Sequence, residues 1–468
     1  MTTAPPEQDG RLIRLPALTH RGRVETRAVE TVHGVDGSAL AVLSLCPDLL
    51  VAQAVQAQRR APAPPPRERA ARLAEAARRF RTDVLGGLSF AEHCDHVTRV
   101  SGHNRSLTEQ LSRAVADAIE QAPERADQAR PNGSARAWSD IGRRSGSGVW
   151  TRRGETLGAV LSGNLPTIQN GWLQALALGY RVAVRPSRRE PFTAYRVVEA
   201  LRAAGFRDTD AVYLPSAHTG ATALLRRADL GLVYGGDDVK TRYEGSATIK
   251  VGGPGRSKTL VDRAHVLPEA VESVVEAVVE SVTALSGVAC VNTTAVFVEG
   301  DHTRFAADLA AALTARARAR QTTPEHLGPR VTDDTARAIV DHLRRRAAHA
   351  RPEIPLDQVA TPHPAGGVVL GPAVFTVDDP RDDVLGAELP FPCVWIAPWS
   401  RADGLGPLRE SLVVNAISDD RGLITDLLGD PTIQNVHVNV PTVHSDGRLP
   451  HEGFVGDFLM RNKAVVSA

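Results

Sequence analysis

LGAVLSGNLPT, running from Leu157 to Thr167, decides the fold. Its first half, LGAVLS at 157–162, is an apolar run of strand length. GNLPT then turns the chain, and Ile168, Trp172, Ala175 and Leu176 recur at the spacing of a helix's buried face. The alternation continues outward. RVAV at 181–184 is a second strand, and PFTAYRVVEALRAAG at 191–205 is a helix stopped by Gly205. DAVYLP, DLGLVYGG and ATIKVGG extend the pattern to residue 253. Strands alternating with helices predict a parallel, doubly wound α/β sheet.

Downstream, PEAVESVVEAVVESVTALSG at 268–287 predicts a helix. Pro268 lies in its first turn, Gly287 just past its end, and Val271, Val275, Val278 and Val282 form its buried stripe. CVNTTAVFVEG is a turn into a strand and opens a second α/β unit that reaches about residue 435. The tail beyond has strand-like ends around a loop rich in Gly, Pro and His. It reads as an arm rather than a core element.

Upstream, residues 11–60 carry short apolar runs. APAPPP at 61–66 is a hinge feeding a helix in which Leu73, Ala77, Phe80 and Val84 recur at helical spacing. An Arg- and Ala-rich, mostly helical segment follows to about residue 150, broken by RPNGSAR at 130–136. The first ten residues read as disordered, and no internal repeat is present.

A chain of 468 residues has room for two or three domains. With 42% hydrophobic and 23% charged residues the balance is that of a globular protein. A net charge of +1 gives no field to recruit nucleic acid or a membrane. The four cysteines, Cys46, Cys94, Cys290 and Cys393, are too few and too scattered for a disulfide framework. The amino-terminal stretch has no signal-peptide pattern, and no apolar run approaches the roughly 18 residues of a membrane span. The expectation is a cytoplasmic protein.

Cys290, in SGVAC, stands a few residues after a helix and just before a strand. A thiolate there could add to a carbonyl. By position alone, a small buried hydrophobe is the more common reading of such a cysteine. EHCDHVTRVSGH at 92–103 gathers His93, Cys94, His96 and His103. Helical spacing puts His93 and His96 near one face and Cys94 on another, and no CxxC or HExxH accompanies them, so no metal is expected.

SGVAC resembles the glycine-x-x-cysteine active-site motif of the aldehyde dehydrogenases. GNLP at 163–166 resembles that family's asparagine turn, whose amide joins the nucleophile's backbone N–H in an oxyanion hole. VRPSRREPFTA at 184–194 resembles the strand-end motif that holds the adenosine side of the cofactor. AELPFP at 387–392 resembles the glutamate motif that grips the nicotinamide ribose. The four occur in order. The resemblance covers residues 150–468 well and the amino-terminal third poorly.

The resemblance implies an α/β fold with two doubly wound parallel-sheet domains and a small oligomerisation arm. Residues 1–125 and 152–262 would form the nucleotide-binding domain with a helical amino-terminal part, 263–435 the catalytic domain, and 126–151 with 436–468 the arm of a homodimer or homotetramer. It implies Cys290 as nucleophile and Asn164 as oxyanion donor. Gly163, Arg185, Ser187, Arg188, Gly235, Gly236 and Glu388 would meet the cofactor, the glycine pair where backbone can approach a pyrophosphate.

Two departures refine this. The family's lysine is Arg185 here, and its ribose-binding acid is Arg188, followed by Arg189. Guanidinium groups bind a 2′-phosphate that a carboxylate would repel, so NADP(H) is favoured over NAD(H). Arg188 and Arg189 could also simply be solvated. The second departure is a missing general base, whose aligned position falls near Gly252 with no carboxylate adjacent. GGPGRSKTLVD resembles CoA-acylating aldehyde dehydrogenases. LSGNLPT, VRPSRREPFTA and LVYGGDDVKTRYEG together resemble the long-chain acyl-CoA reductases of bacterial bioluminescence. The implied activity is NADPH-dependent reduction of an acyl thioester, on CoA or acyl carrier protein, to an aldehyde, or the reverse. The alternatives are an acid-forming aldehyde dehydrogenase and an inactive member serving as a binding subunit.

Overall fold

The computed structural model describes residues 12–141, 147–321, 325–444 and 446–466. The amino-terminal stretch expected to be disordered lies outside the described residues.

Five strands form the heart of a first sheet: Thr156–Val160, Arg181–Arg185, Ala211–Tyr213, Leu230–Tyr234 and Ile249–Gly252. All pair in parallel. Across the sheet they lie in the order fifth, fourth, first, second, third, and an antiparallel pair, Ala17–Thr19 with Gly22–Val24, closes the far edge. Order reverses between Thr156–Val160 and Leu230–Tyr234, so a crevice opens at the carboxyl ends of those strands.

Strand residues alternate between two buried layers, as a pleated strand requires. Leu157, Ala159, Val182, Val184, Leu230 and Leu232 pack with Leu73, Phe80, Ile119, Trp172 and Val197 from helices on one face. Val160, Ala183, Val212 and Val233 pack with Val51, Val55 and Leu224 on the other. Burial on both faces explains why these strands are almost wholly apolar in sequence. On the second face, a Cβ at Gly231 would stand 2.6 Å from Leu225, so glycine lets helix His218–Arg227 close down.

The second sheet is built the same way. Its parallel strands are Ser257–Val261, Thr293–Val298, Ala373–Thr376, Cys393–Pro398, Ser411–Ile417 and Ile433–Val438. Phe297, Phe375, Trp395 and Val414 fill one layer, and Val296, Val374, Ile396 and Ile417 the other. The fold expected from the sequence, two doubly wound sheets, is the fold observed.

Several details differ from the sequence reading. Helix Pro66–Thr82 buries Leu73, Ala77 and Phe80, but the chain leaves it at Asp83 in extended conformation, so Val84 lies beyond its end and 69% exposed. Helix Val271–Thr283 starts three residues after Pro268, and Val274 and Val279 join its buried stripe while Val271 is only half-buried. Ser257–Val261 pairs within the second sheet, so the change of sheet falls between Gly252 and Ser257, ahead of the boundary suggested at 262. The tail is not wholly an arm. Ile433–Val438 is the second sheet's edge, and only Met460–Val465, antiparallel to Ser147–Arg152, forms a separate ribbon. Among the described residues no helix is long and apolar enough to cross a membrane.

Candidate active site

The carboxyl ends of the first sheet face the amino ends of the second. Asn164 and Ser187 follow first-sheet strands, whereas Arg256, Cys290 and Glu388 precede second-sheet strands. The cleft between them holds most of the residues singled out in the sequence.

Cys290 is delivered by a strained turn. Leu285, Ser286 and Gly287 all have left-handed backbone, with φ of 55°, 60° and 67°. A Cβ at Gly287 would also stand 2.5 Å from the Pro392 nitrogen, so the turn packs directly on the AELPFP segment. Asn292 ties the turn together. Its Oδ1 accepts from the Ala289 N–H at 2.8 Å, and its Nδ2 donates to the Ser281 and Ala284 carbonyls at 3.0 and 2.9 Å. Ser257 Oγ donates to the Cys290 carbonyl at 2.8 Å. The same carbonyl lies 1.7 Å from where a Gly255 Cβ would stand, which fixes glycine in the GGPGR segment.

The Cys290 thiol opens on the cleft, 3.3 Å from His451 Nε2. Burial, with the Glu388 and Glu452 carboxylates, pushes its pKa up to about 12, against the pull of the Cys290 and Val291 backbone N–H groups. His451 belongs to the tail loop. Its carbonyl accepts from Asn435 Nδ2 at 2.6 Å. The Glu452 carbonyl accepts from Lys250 Nζ at 2.6 Å, and Glu452 Oε1 accepts from the Gly253 N–H at 3.3 Å. Burial raises the Glu452 pKa. The sequence pattern missed both residues. The only signal was the Pro-His-Glu-Gly run at 450–453, inside a stretch read as an arm.

Asn164 reaches across the cleft, its Nδ2 donating to the Val288 carbonyl at 3.2 Å while its Oδ1 accepts from Ser162 Oγ at 2.7 Å. Its own carbonyl accepts from His103 Nε2 at 2.8 Å. Burial drives the His103 pKa down to about 4, so the ring is neutral. His103 was weighed as a metal ligand, yet it supports Asn164. His96 Nδ1 meets the Glu92 carbonyl, and His93 and Cys94 are buried. Among the described residues no group of three or more His, Cys, Asp or Glu side chains could hold a metal ion.

At the nucleotide end, a Cβ on Gly163 would stand 2.5 Å from Ser187 Oγ, so the two strand-end turns fit closely. Arg185 donates to the Ser216 carbonyl at 3.0 and 3.3 Å. Arg188 is paired with Glu30 at 2.6 Å. The Arg189 guanidinium has no hydrogen-bonded or ion-paired partner among the described residues, and the residue is exposed. Guanidinium groups at this strand end suit the phosphates of a nicotinamide nucleotide, although those of Arg185 and Arg188 already have partners within the chain.

The fit is poorer at Gly235 and Gly236. They lead into a helix of only seven residues whose first turn carries Asp237 and Asp238. Arg256 holds the Asp237 carboxylate through two 2.7 Å bonds, which offsets one of the two charges at the helix start. Glu388 Oε2 accepts from the Arg256 N–H at 2.9 Å, the Gly255 N–H also bonds its carboxylate, and burial raises its pKa. One of its oxygens is therefore already engaged with the turn that leads into strand Ser257–Val261.

Solved structures share this architecture. AldA, an indole-3-acetaldehyde dehydrogenase of P. syringae in complex with NAD+ and IAA, matches with a TM-score of 0.81 at 17% identity, over 96% of each chain. The aldehyde dehydrogenase KauB from Pseudomonas aeruginosa matches at 0.80 and 16%, again over 96% of each. Lactaldehyde dehydrogenase from Escherichia coli matches at 0.79 and 16%, over 97% of this chain and 99% of its own. At such identities the likeness speaks for the fold alone. No curated protein matches the sequence. The model of the aldehyde dehydrogenase family, however, matches residues 46–405, well over half the chain and all four motifs. The chain belongs to the aldehyde dehydrogenase family, oxidoreductases that act on aldehydes.

Proposed function

We propose that the protein interconverts acyl thioesters and aldehydes, with NADP(H) as redox partner, through a thioacyl-enzyme on Cys290. CoA or an acyl carrier protein would bear the acyl group. Cys290 attacks the carbonyl carbon, and the Asn164 amide with the Cys290 backbone N–H receives the charge developing on oxygen. The bound nucleotide supplies or accepts hydride. Arg185, Arg188 and Arg189 would hold its adenosine end, and the remaining lone pairs of Glu388 would accept from ribose hydroxyls. The ribbon of Ser147–Arg152 and Met460–Val465 would join copies into a dimer or tetramer.

The observation that carries the thioester half is at Gly252. A Cβ there would stand 2.5 Å from the Tyr234 ring, so this position admits no side chain. The segment expected to supply a water-activating carboxylate supplies none.

One observation favours a second reading, oxidation of an aldehyde to a free acid. Glu452 Oε2 lies 3.3 Å from where that same Gly252 Cβ would be. A carboxylate with a raised pKa thus stands beside the position from another part of the chain, and it could activate water.

A burst assay separates the two. On the thioester reading, NADP+ and aldehyde alone give about one equivalent of NADPH and then stall until CoA is added. Sustained turnover to free acid, as fast as the thiol-supplemented reaction, overturns that reading in favour of the Glu452-assisted acid. Incubation of the protein with NADPH and an acyl-CoA then tests the reverse direction by release of aldehyde and free CoA.

A further inference from the structure

We propose that His451, carried by the carboxyl-terminal loop, is the general base that takes the Cys290 thiol proton as the thiol attacks. The inference rests on the reading of Cys290 as nucleophile and is independent of whether thiol or water later accepts the acyl group.

The geometry is direct. Nε2 lies 3.3 Å from Sγ, within contact distance for a sulfur donor and a nitrogen acceptor. The loop is anchored by its backbone on two sides, at the Asn435 amide and the Lys250 ammonium, so the ring is held without spending its own nitrogens. Part of His451 still reaches solvent, so a proton gained there can pass to water.

The electrostatics define what kind of base this is. Cys290 is faced by Glu388, Glu452 and His451, and both carboxylates disfavour a resting thiolate. His451 is faced by Lys250 across the loop, and its own pKa is lowered by burial and by that ammonium. The resting pair is therefore a neutral thiol beside a neutral imidazole, not a preformed ion pair. The step balances without a further reagent. The S–H bond breaks and its proton moves to Nε2. The S–C bond forms to the carbonyl carbon, and the C=O π pair moves onto oxygen, where the Asn164 amide is at hand. With the thiol titrating near 12, free thiolate is a trace at neutral pH, so a proton acceptor at contact distance is what makes the sulfur reactive there.

The test is alkylation of the nucleotide-free protein by iodoacetamide, with the adduct located by peptide mass. The other three thiols are buried and react slowly. In the wild type the rate at Cys290 should be flat from about pH 7 to about pH 9, because His451 is already neutral and the thiol has not begun to titrate. In His451→Gln the rate at pH 7 should fall at least about tenfold and then climb about tenfold per pH unit, as thiolate becomes the only route. In His451→Ala, added imidazole should restore the rate in a saturable way. Equal rates and profiles in wild type and variants overturn the proposal. So does a slower rate that keeps the flat profile and ignores imidazole, which would make the ring a mere support for the turn. Thermal midpoints of both variants check that the fold is intact. Turnover of Cys290→Ala tests the nucleophile separately, so failure of one reading is distinguishable from failure of the other.

Discussion

The two edges that meet at the cleft bring different side chains to it. The first sheet's carboxyl edge presents Arg185, Arg188 and Arg189 after its second strand. The second sheet's amino edge presents Glu388, and the tail loop adds Glu452 beside it. On the first edge, guanidinium groups suit phosphate. On the second, burial and two carboxylates disfavour a thiolate at Cys290. On the proposed function, one edge would hold a charged ligand and the other would restrain a nucleophile. The two tasks sit on separate sheets joined by only a few residues, Gly253 to Arg256.

The sharpest way to break this division is Cys290→Ala. Turnover should fall by at least about 10⁴-fold, the scale of losing a covalent nucleophile. NADPH affinity, measured by fluorescence titration, should stay within a few-fold of wild type. Loss of nucleotide binding in this variant would mean that the two edges do not work separately.

Asn164 belongs to the first edge yet reaches the second. Asn164→Ala should lower kcat on the order of 10²–10³-fold in a chemistry-limited assay. An unchanged kcat removes it from the oxyanion hole and leaves its bond to the Val288 carbonyl as a cross-cleft tie.

His103, behind Asn164, sharpens the comparison through stability. Its folded pKa, about 4, lies below the ordinary histidine value of about 6.5. The unfolded chain therefore binds its proton first. Stability is complete above about pH 6.5 and is lost as pH falls toward 4. From about pH 7.5 to pH 5 this amounts to roughly 2 kcal/mol. Urea denaturation at both values should show a loss that is smaller by about that amount in His103→Gln. The buried His93 acts in the same direction in both proteins and cancels in the difference. An equal loss in the variant would exclude His103 as a source of the pH dependence.

The smallest effect concerns Glu30, which pairs with Arg188 and would compete with a 2′-phosphate for it. The pair is more than a third exposed on both sides, so its strength is at most about 1 kcal/mol. Glu30→Gln should tighten NADPH about two- to fivefold and leave NADH unchanged. Equal changes for both cofactors would mean that Arg188 does not read the 2′-phosphate.

The turns that carry the site were legible because each is fixed within a few residues of itself. Strand periodicity ends at Val160, Arg185 and Tyr234, and glycine, proline or asparagine follows within four residues of each. Gly287 announces the left-handed turn before Cys290 because few other residues adopt that backbone. Val84 falls outside the helix because a period has no end marker of its own, and the helix stops two residues short of the last apolar position. A glycine pair at 235–236 says nothing of the two carboxylates that open the short helix after it.

By itself, the sequence determined the two alternating layers, the strand ends and the turn that bears Cys290, since all of these follow from side-chain periodicity and local backbone preference. Only the tertiary structure decided what faces the thiol. His451 lies 161 positions from Cys290 in the chain. No period or spacing links them. The loop is seated by Asn435 and Lys250, two polar side chains that bond its backbone carbonyls. Bonds to backbone carbonyls are indifferent to the side chains they carry into place, so nothing in the local sequence of the tail announces that its histidine and glutamate arrive at the reactive sulfur.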